Sequence, residues 1–97
     1  MPVFSVICRD KPSSVDLRMA TRPDHLDYLK SSGTKVWIGG PMLDDDEKPI
    51  GSVLLIEAAS KIDAQKFADG DPYAKAGLFD SVEIRLFKFT LGDFLDK

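Results

Sequence analysis

The spacing of apolar residues changes along this chain in a definite order, and that order limits the fold more than any single motif does. From Pro2 to Arg9 the residues Val3, Phe4, Val6, Ile7 and Cys8 are apolar on both parities and mostly β-branched or aromatic, which predicts a strand covered on both faces. Asp10 to Ser14 form a turn ending on a helix-starting serine. From Val15 the spacing lengthens, and Val15, Met19, Leu26 and Leu29 follow a helical period that runs past Pro23. The helix is therefore either kinked at Pro23 or broken near Thr21 and Arg22, and Gly33 closes it. Lys35 to Ile38 form a second strand that stops at Gly39, Gly40 and Pro41. Asp44 to Glu47, with Lys48 and Pro49, make a solvated hairpin loop, and Gly51 to Ala58 form strand three. Ser60 and Asp63 spell a capping box for a helix reaching about Asp69 and stopping at Gly70. Asp71 and Pro72 start one short further turn closed by Gly77, and Ser81 to Thr90 form strand four.

Strand, helix, strand, strand, helix, strand is the order of the ferredoxin-like α+β fold, with both helices on one face of a four-stranded antiparallel sheet. The 97 residues suit one domain, with residues 91–97 as a tail. On strand four Val82, Ile84 and Leu86 are expected to face the helices, leaving Glu83, Arg85, Phe87 and Phe89 on the other side with Trp37. A domain of this size buries only about 60 to 65% of its unfolded surface. The half-apolar open face therefore predicts a homodimer joined sheet to sheet.

Charge and cysteine count narrow the function. A formal charge of −3, with no basic run longer than two residues, disfavours nucleic acid and anionic membranes as partners. No apolar stretch approaches the roughly 20 residues of a membrane span, and no signal-peptide pattern is present, so a cytoplasmic location is expected. The single cysteine, Cys8, sits mid-strand with no second histidine to activate it and reads as filler. The acidic run Asp44 to Glu47 lacks the spacing of a calcium loop, and Gly39-Gly40-Pro41 does not match a phosphate-binding loop. No metal or other cofactor is called for; haem would rest on one histidine.

Two groups of residues could carry chemistry. Arg18, Arg22 and His25 fall within about 60° of one another on a helical wheel, beside the apolar stripe. Two guanidiniums and an imidazole at a core edge could hold a small anionic ligand and place a proton-transfer group next to it. The plainer reading pairs the arginines with Asp24, Asp27 or Glu57 and leaves His25 half-buried. Asp71, in Gly70-Asp71-Pro72-Tyr73, is an ordinary helix cap on the plainer reading; on the sharper one its carboxylate orients His25 for acid–base work.

The run Leu17, Arg18, Ala20, Thr21, Arg22, Pro23, His25, Leu26, Tyr28, Leu29, then Gly39-Gly40-Pro41, Gly51-Ser52 and Glu57, resembles the YCII-related family of small bacterial proteins. The resemblance continues through Ala64, Phe67, Asp71-Pro72-Tyr73, Ala76 to Phe79 and Val82 to Arg85. It implies a ferredoxin-like fold assembled as a dimeric α+β barrel, similar to muconolactone isomerase. It also implies a catalytic histidine and aspartate, matched here by His25 and Asp71, with Arg18, Arg22 and Tyr73 as substrate-binding candidates. Some relatives are dehydrochlorinases acting on chlorinated hydroxyquinones. The expectation is thus a lyase or isomerase working by proton transfer on a cyclic or enolic substrate. The alternatives are a non-catalytic small-anion binding or sensor module, or a dimerisation element.

Overall fold

The computed structural model describes residues 1–93. Four strands form one antiparallel sheet in the order β2-β3-β1-β4, where β1 is Val3–Asp10, β2 Val36–Leu43, β3 Pro49–Glu57 and β4 Phe79–Phe87. Helix α1 spans Val15–Ser31, α2 Lys61–Gly70 and the single turn α3 Pro72–Lys75. The fold is the ferredoxin-like α+β arrangement expected from the order of periods. Its core lies on the helical side of the sheet, where Phe4, Val6, Leu54, Ile56 and Ile84 meet Ala64, Phe67 and Ala68 of α2. Alanines at two core positions of α2 let that helix sit close to the strands, and Phe67 fills the space beside them.

Helix α1 packs differently. It is one continuous helix with Pro23 inside it, which decides between the two alternatives read from the sequence. The residues it buries are Arg18 and His25; its apolar stripe is only half-covered, and Met19 remains 52% exposed. Leu29 packs against the core, while the rest of the stripe stays apart from it. The stripe lines a cavity between α1 and the β2–β3 half of the sheet, containing Met19, Leu26 and Leu29 from the helix and Leu54 from β3.

Several boundaries differ from expectation for identifiable reasons. Strand β2 does not stop at Gly39 but runs through Gly39, Gly40 and Pro41 to Leu43, pairing Pro41 with Ser52. As an edge strand β2 tolerates a proline and its missing donor, and the register shifts on either side absorb the irregularity. Strand β4 starts at Phe79 and ends at Phe87, so Phe89 lies beyond it. Ser14 precedes α1 without capping it by its side chain; its hydroxyl instead donates to the Pro12 carbonyl. Ser60 does cap α2, accepting from the Asp63 amide at 3.2 Å. Gly33 follows α1 with φ +77°, the left-handed conformation a glycine closure requires. Leu86 keeps the parity of Ile84 but is 73% exposed, so the expectation that it lies under the helices fails: that end of β4 is left uncovered. Of the predicted tail, residues 94–97 fall outside the described residues.

On the opposite face of the sheet Trp37, Ile38 and Phe87 remain 40%, 51% and 42% exposed. Trp37 is held by its indole N–H donating to Glu57, by the Lys35 ammonium over its ring and by an edge contact with Phe89. Among the described residues no helix is long and apolar enough to cross a membrane.

Candidate functional site

Asp71 is positioned by local backbone chemistry. Proline at 72 disfavours helical backbone at the preceding residue, and Asp71 adopts φ −63°, ψ 131°, which ends α2 and starts α3. The extended residue turns its carboxylate back over the new helix, where Oδ1 accepts the Tyr73 amide at 2.9 Å. The end of α2 is docked on α1 by Tyr28, whose hydroxyl donates to the Phe67 carbonyl at 2.8 Å. Gly70 leaves room for this contact, because a Cβ there would stand 2.6 Å from the Tyr28 hydroxyl oxygen and the tyrosine would have to shift. The effect is to bring Asp71 against the buried side of α1. Both of its carboxylate oxygens lie 2.9 Å from Nδ1 of His25.

His25 and Asp71 are 7% and 4% exposed, so the pair is largely withdrawn from water. With the acceptor carboxylate on Nδ1, the neutral imidazole carries its proton there and leaves a lone pair on Nε2. Among the described residues Nε2 has no hydrogen-bond partner, and no buried side-chain nitrogen or oxygen lacks one. Nε2 therefore lies against open space, and His25 lines the cavity.

Tyr73 follows directly from the cap. Its ring stacks on the imidazole with centroids 4.0 Å apart and an interplanar angle of 17°. The Arg18 guanidinium carbon lies 4.5 Å from the centre of the same ring. Arg18 and His25 are seven residues apart, about 10 Å along the axis of one helix, so the phenol is held between them. Burial raises the Tyr73 pKa, and the Asp71 charge adds to this while Arg18 and Arg22 oppose it. The hydroxyl keeps its proton at neutral pH. Burial likewise pushes the Cys8 thiol up from 9.0 to about 12, with Asp71 and Asp10 adding to the shift and Arg18 opposing it. The thiol is thus inert at neutral pH, in keeping with a filler role.

The arginines part company. Arg18 is 3% exposed and bonded by Nε and Nη2 to the two oxygens of Asp10, at 2.6 and 2.9 Å; Nη2 also donates to Ser52 at 2.9 Å. Burial works against its charge, yet the Asp10 bond and charge prevail and its pKa is raised. Arg22 is exposed at the cavity edge, and among the described residues its guanidinium has neither a hydrogen bond nor an ion pair. Neither arginine takes the partners expected from the plainer reading. Arg18 uses Asp10, while Glu57 is occupied by Lys35 and Trp37.

All five candidates thus lie together: Arg18, Arg22, His25 and Tyr73 line one cavity, with Asp71 directly behind the imidazole. The cavity holds about 510 Å³, within the usual size range of small-molecule sites. Gly39, Gly40 and Pro41 line part of its β2 side with little side-chain bulk. Sequence reasoning missed Asp10 and Ser52. Asp10 was absorbed in a turn, and the signals for Ser52 were its place in the family resemblance and a polar residue entering the apolar run Val53 to Ile56. The acidic loop is explained locally, since Asp44 Oδ1 accepts the amides of Asp46 and Lys48. No group of three or more His, Cys, Asp or Glu suited to a metal ion occurs among the described residues.

A ferredoxin-like domain with an aspartate-held histidine facing a cavity defines a class. The chain belongs to the YCII-related family, matching its domain over residues 3–88. It is 32% identical over 94 residues to Protein YciI of Escherichia coli O6:H1, spanning 89% of this chain and 96% of the relative. It is 38% identical over 82 residues to derivative of benzaldehyde biosynthesis cluster protein C of Emericella nidulans, covering 74% of this chain and 80% of that one. Among solved structures it is similar to 5-chloro-2-hydroxyhydroquinone dehydrochlorinase (TftG) of Burkholderia phenoliruptrix in complex with 2,5-dihydroxybenzoquinone. That match has a TM-score of 0.78 and 32% identity over 97% of this chain and 99% of the other. An antibiotic biosynthesis monooxygenase at TM-score 0.58 and 9% identity, covering 94% of this chain and 100% of that one, shares the fold alone.

Proposed function

We propose that this protein is a lyase or isomerase acting on a small cyclic substrate with acidic hydroxyl or enolic groups, by proton transfer through His25. The observation that carries the reading is the Asp71 carboxylate on Nδ1 of a buried imidazole whose other nitrogen meets the cavity. Nε2 removes a proton from the substrate, and the electron pair released moves through the ring. In an elimination it expels a leaving group with its bonding electrons; in an isomerisation the proton is returned at another position. Asp71 fixes the tautomer and steadies the imidazolium. Arg22, without a hydrogen-bond or ion-pair partner among the described residues, neutralises an oxygen of the bound anion at the cavity edge. Tyr73 and Arg18 shape the floor against which the ring lies.

Similarity to a dehydrochlorinase supports elimination over other proton-transfer chemistry and supplies a first substrate to try. With 5-chloro-2-hydroxyhydroquinone, chloride release by the wild type is expected, and His25→Ala should lower kcat by roughly 10²–10⁴-fold. Turnover surviving that substitution at the wild-type rate ends the reading. A ligand bound saturably and recovered unchanged replaces it with a binding module.

The assembly is proposed to be a homodimer packed through the open sheet face. Trp37, Ile38 and Phe87 supply the exposed apolar surface, which is unusual on a monomer with so small a core. Sedimentation equilibrium should give twice the chain mass of 10.7 kDa; a single-chain mass at micromolar concentration overturns the dimer.

A further inference from the structure

Ser52 is a buried hydroxyl whose proton has no taker among the described residues. It stands on β3 with the parity of Leu54 and Ile56, between its ladder partners Cys8 on β1 and Pro41 on β2. That parity turns the side chain towards α1 and into the lining of the cavity, and the residue is 3% exposed. Its oxygen accepts from Arg18 Nη2 at 2.9 Å. A guanidinium carries donors only, so this bond uses a lone pair of Oγ and cannot consume the hydroxyl proton. Among the described residues no group accepts from Ser52.

The direction of support within this network can be read from the bond count. Arg18 is already anchored by two bonds to Asp10, whose side chain is 3% exposed. Ser52 adds little to holding the arginine, whereas the arginine fixes which side of Oγ faces inward. The geometry points to Ser52 as a substrate-contacting donor, its hydroxyl presented to the cavity by Arg18 to bind an oxygen of the ligand. The inference rests on the cavity being the substrate site and extends it: the ligand carries an acceptor oxygen, keto or anionic, inside the cavity at Ser52 in addition to any oxygen held by Arg22 at the edge. Charge growing on that inner oxygen as His25 removes the proton strengthens the Ser52 bond in the transition state, which is how a fixed donor accelerates a reaction.

Two measurements test this. A crystal structure of the unliganded wild type should show a water within hydrogen-bond distance of Ser52 Oγ on the cavity side. An internal acceptor for the hydroxyl in its place overturns the inference, and this arm needs neither a variant nor a ligand. The second arm uses 2,5-dihydroxybenzoquinone as a titrated probe. Ser52→Ala is expected to weaken its binding about tenfold, the loss of one hydrogen bond to a charged group. An unchanged Kd in the folded variant overturns the inference. If the wild type itself fails to bind the quinone, the substrate reading of the cavity falls and the inference with it, whereas quinone binding that Ser52→Ala leaves intact overturns the inference alone.

Discussion

Arg18→Ala should be among the most destabilising single substitutions in this chain, costing about 3–5 kcal/mol. The side chains of Arg18 and Asp10 are 4% and 3% exposed, and they meet through two bonds. Truncating the arginine leaves a carboxylate at the end of β1 with no cation and little water. It also removes the cation from the Tyr73 ring and the donor from Ser52. For a domain this size each kcal/mol moves the melting temperature by roughly 4–8 °C, so thermal denaturation should show a fall of at least about 12 °C. The charge, rather than the lost packing, is the main cause. Replacing both partners, as in Arg18→Met with Asp10→Leu, should therefore recover much of the loss, because neither variant side chain needs water. A fall of less than about 1 kcal/mol in the single variant would mean that Asp10 reaches solvent without its partner.

The parts of this molecule that were legible in its sequence are those set by neighbours along the chain. The alternation of periods identified the six main elements, and Asp-Pro after Gly70 identified both the break between two helices and the side chain aimed from it. The meeting of His25 with Asp71 needed one further step. His25 lies inside α1 and Asp71 between α2 and α3, and what joined them at the level of sequence was the family resemblance, which implies the pair.

What stayed hidden depends on which elements become neighbours across the fold. The edge position of β2 is a property of the sheet order, so Gly39-Gly40-Pro41 read as a stop although an edge strand can run through it. The cavity beside α1 was not legible either, because amphipathic spacing records apolar surface without saying whether protein or a cavity meets it, and here Leu29 meets both. The partner of Arg18 was missed for the same reason. Asp24 and Asp27 on its own helix and Glu57 on strand three were the candidates, while the carboxylate that holds it comes from the end of β1.

Asp71→Asn is expected to separate catalysis from stability. The asparagine oxygen can still accept the Tyr73 amide, and asparagine is as good a helix cap as aspartate, so folding should change by less than about 1 kcal/mol. What changes is the partner of Nδ1. Aspartate offers only acceptors, which keeps the ring proton on Nδ1 and the lone pair on Nε2. An amide group turned to donate to Nδ1 moves the proton to Nε2, where the base is needed, and the variant also lacks the anion that steadies the imidazolium. The expected loss is roughly 10²–10⁴-fold in kcat with KM little altered, the pattern for an interaction used only in the transition state. Because the chain has a single histidine, the ring nitrogen signals in a ¹⁵N spectrum are assigned at once and report the tautomer directly. Wild-type turnover in a variant whose tautomer has switched would remove His25 as the base. A loss of activity with the tautomer unchanged would instead assign the effect to the missing charge, which the imidazolium meets only after the proton has moved.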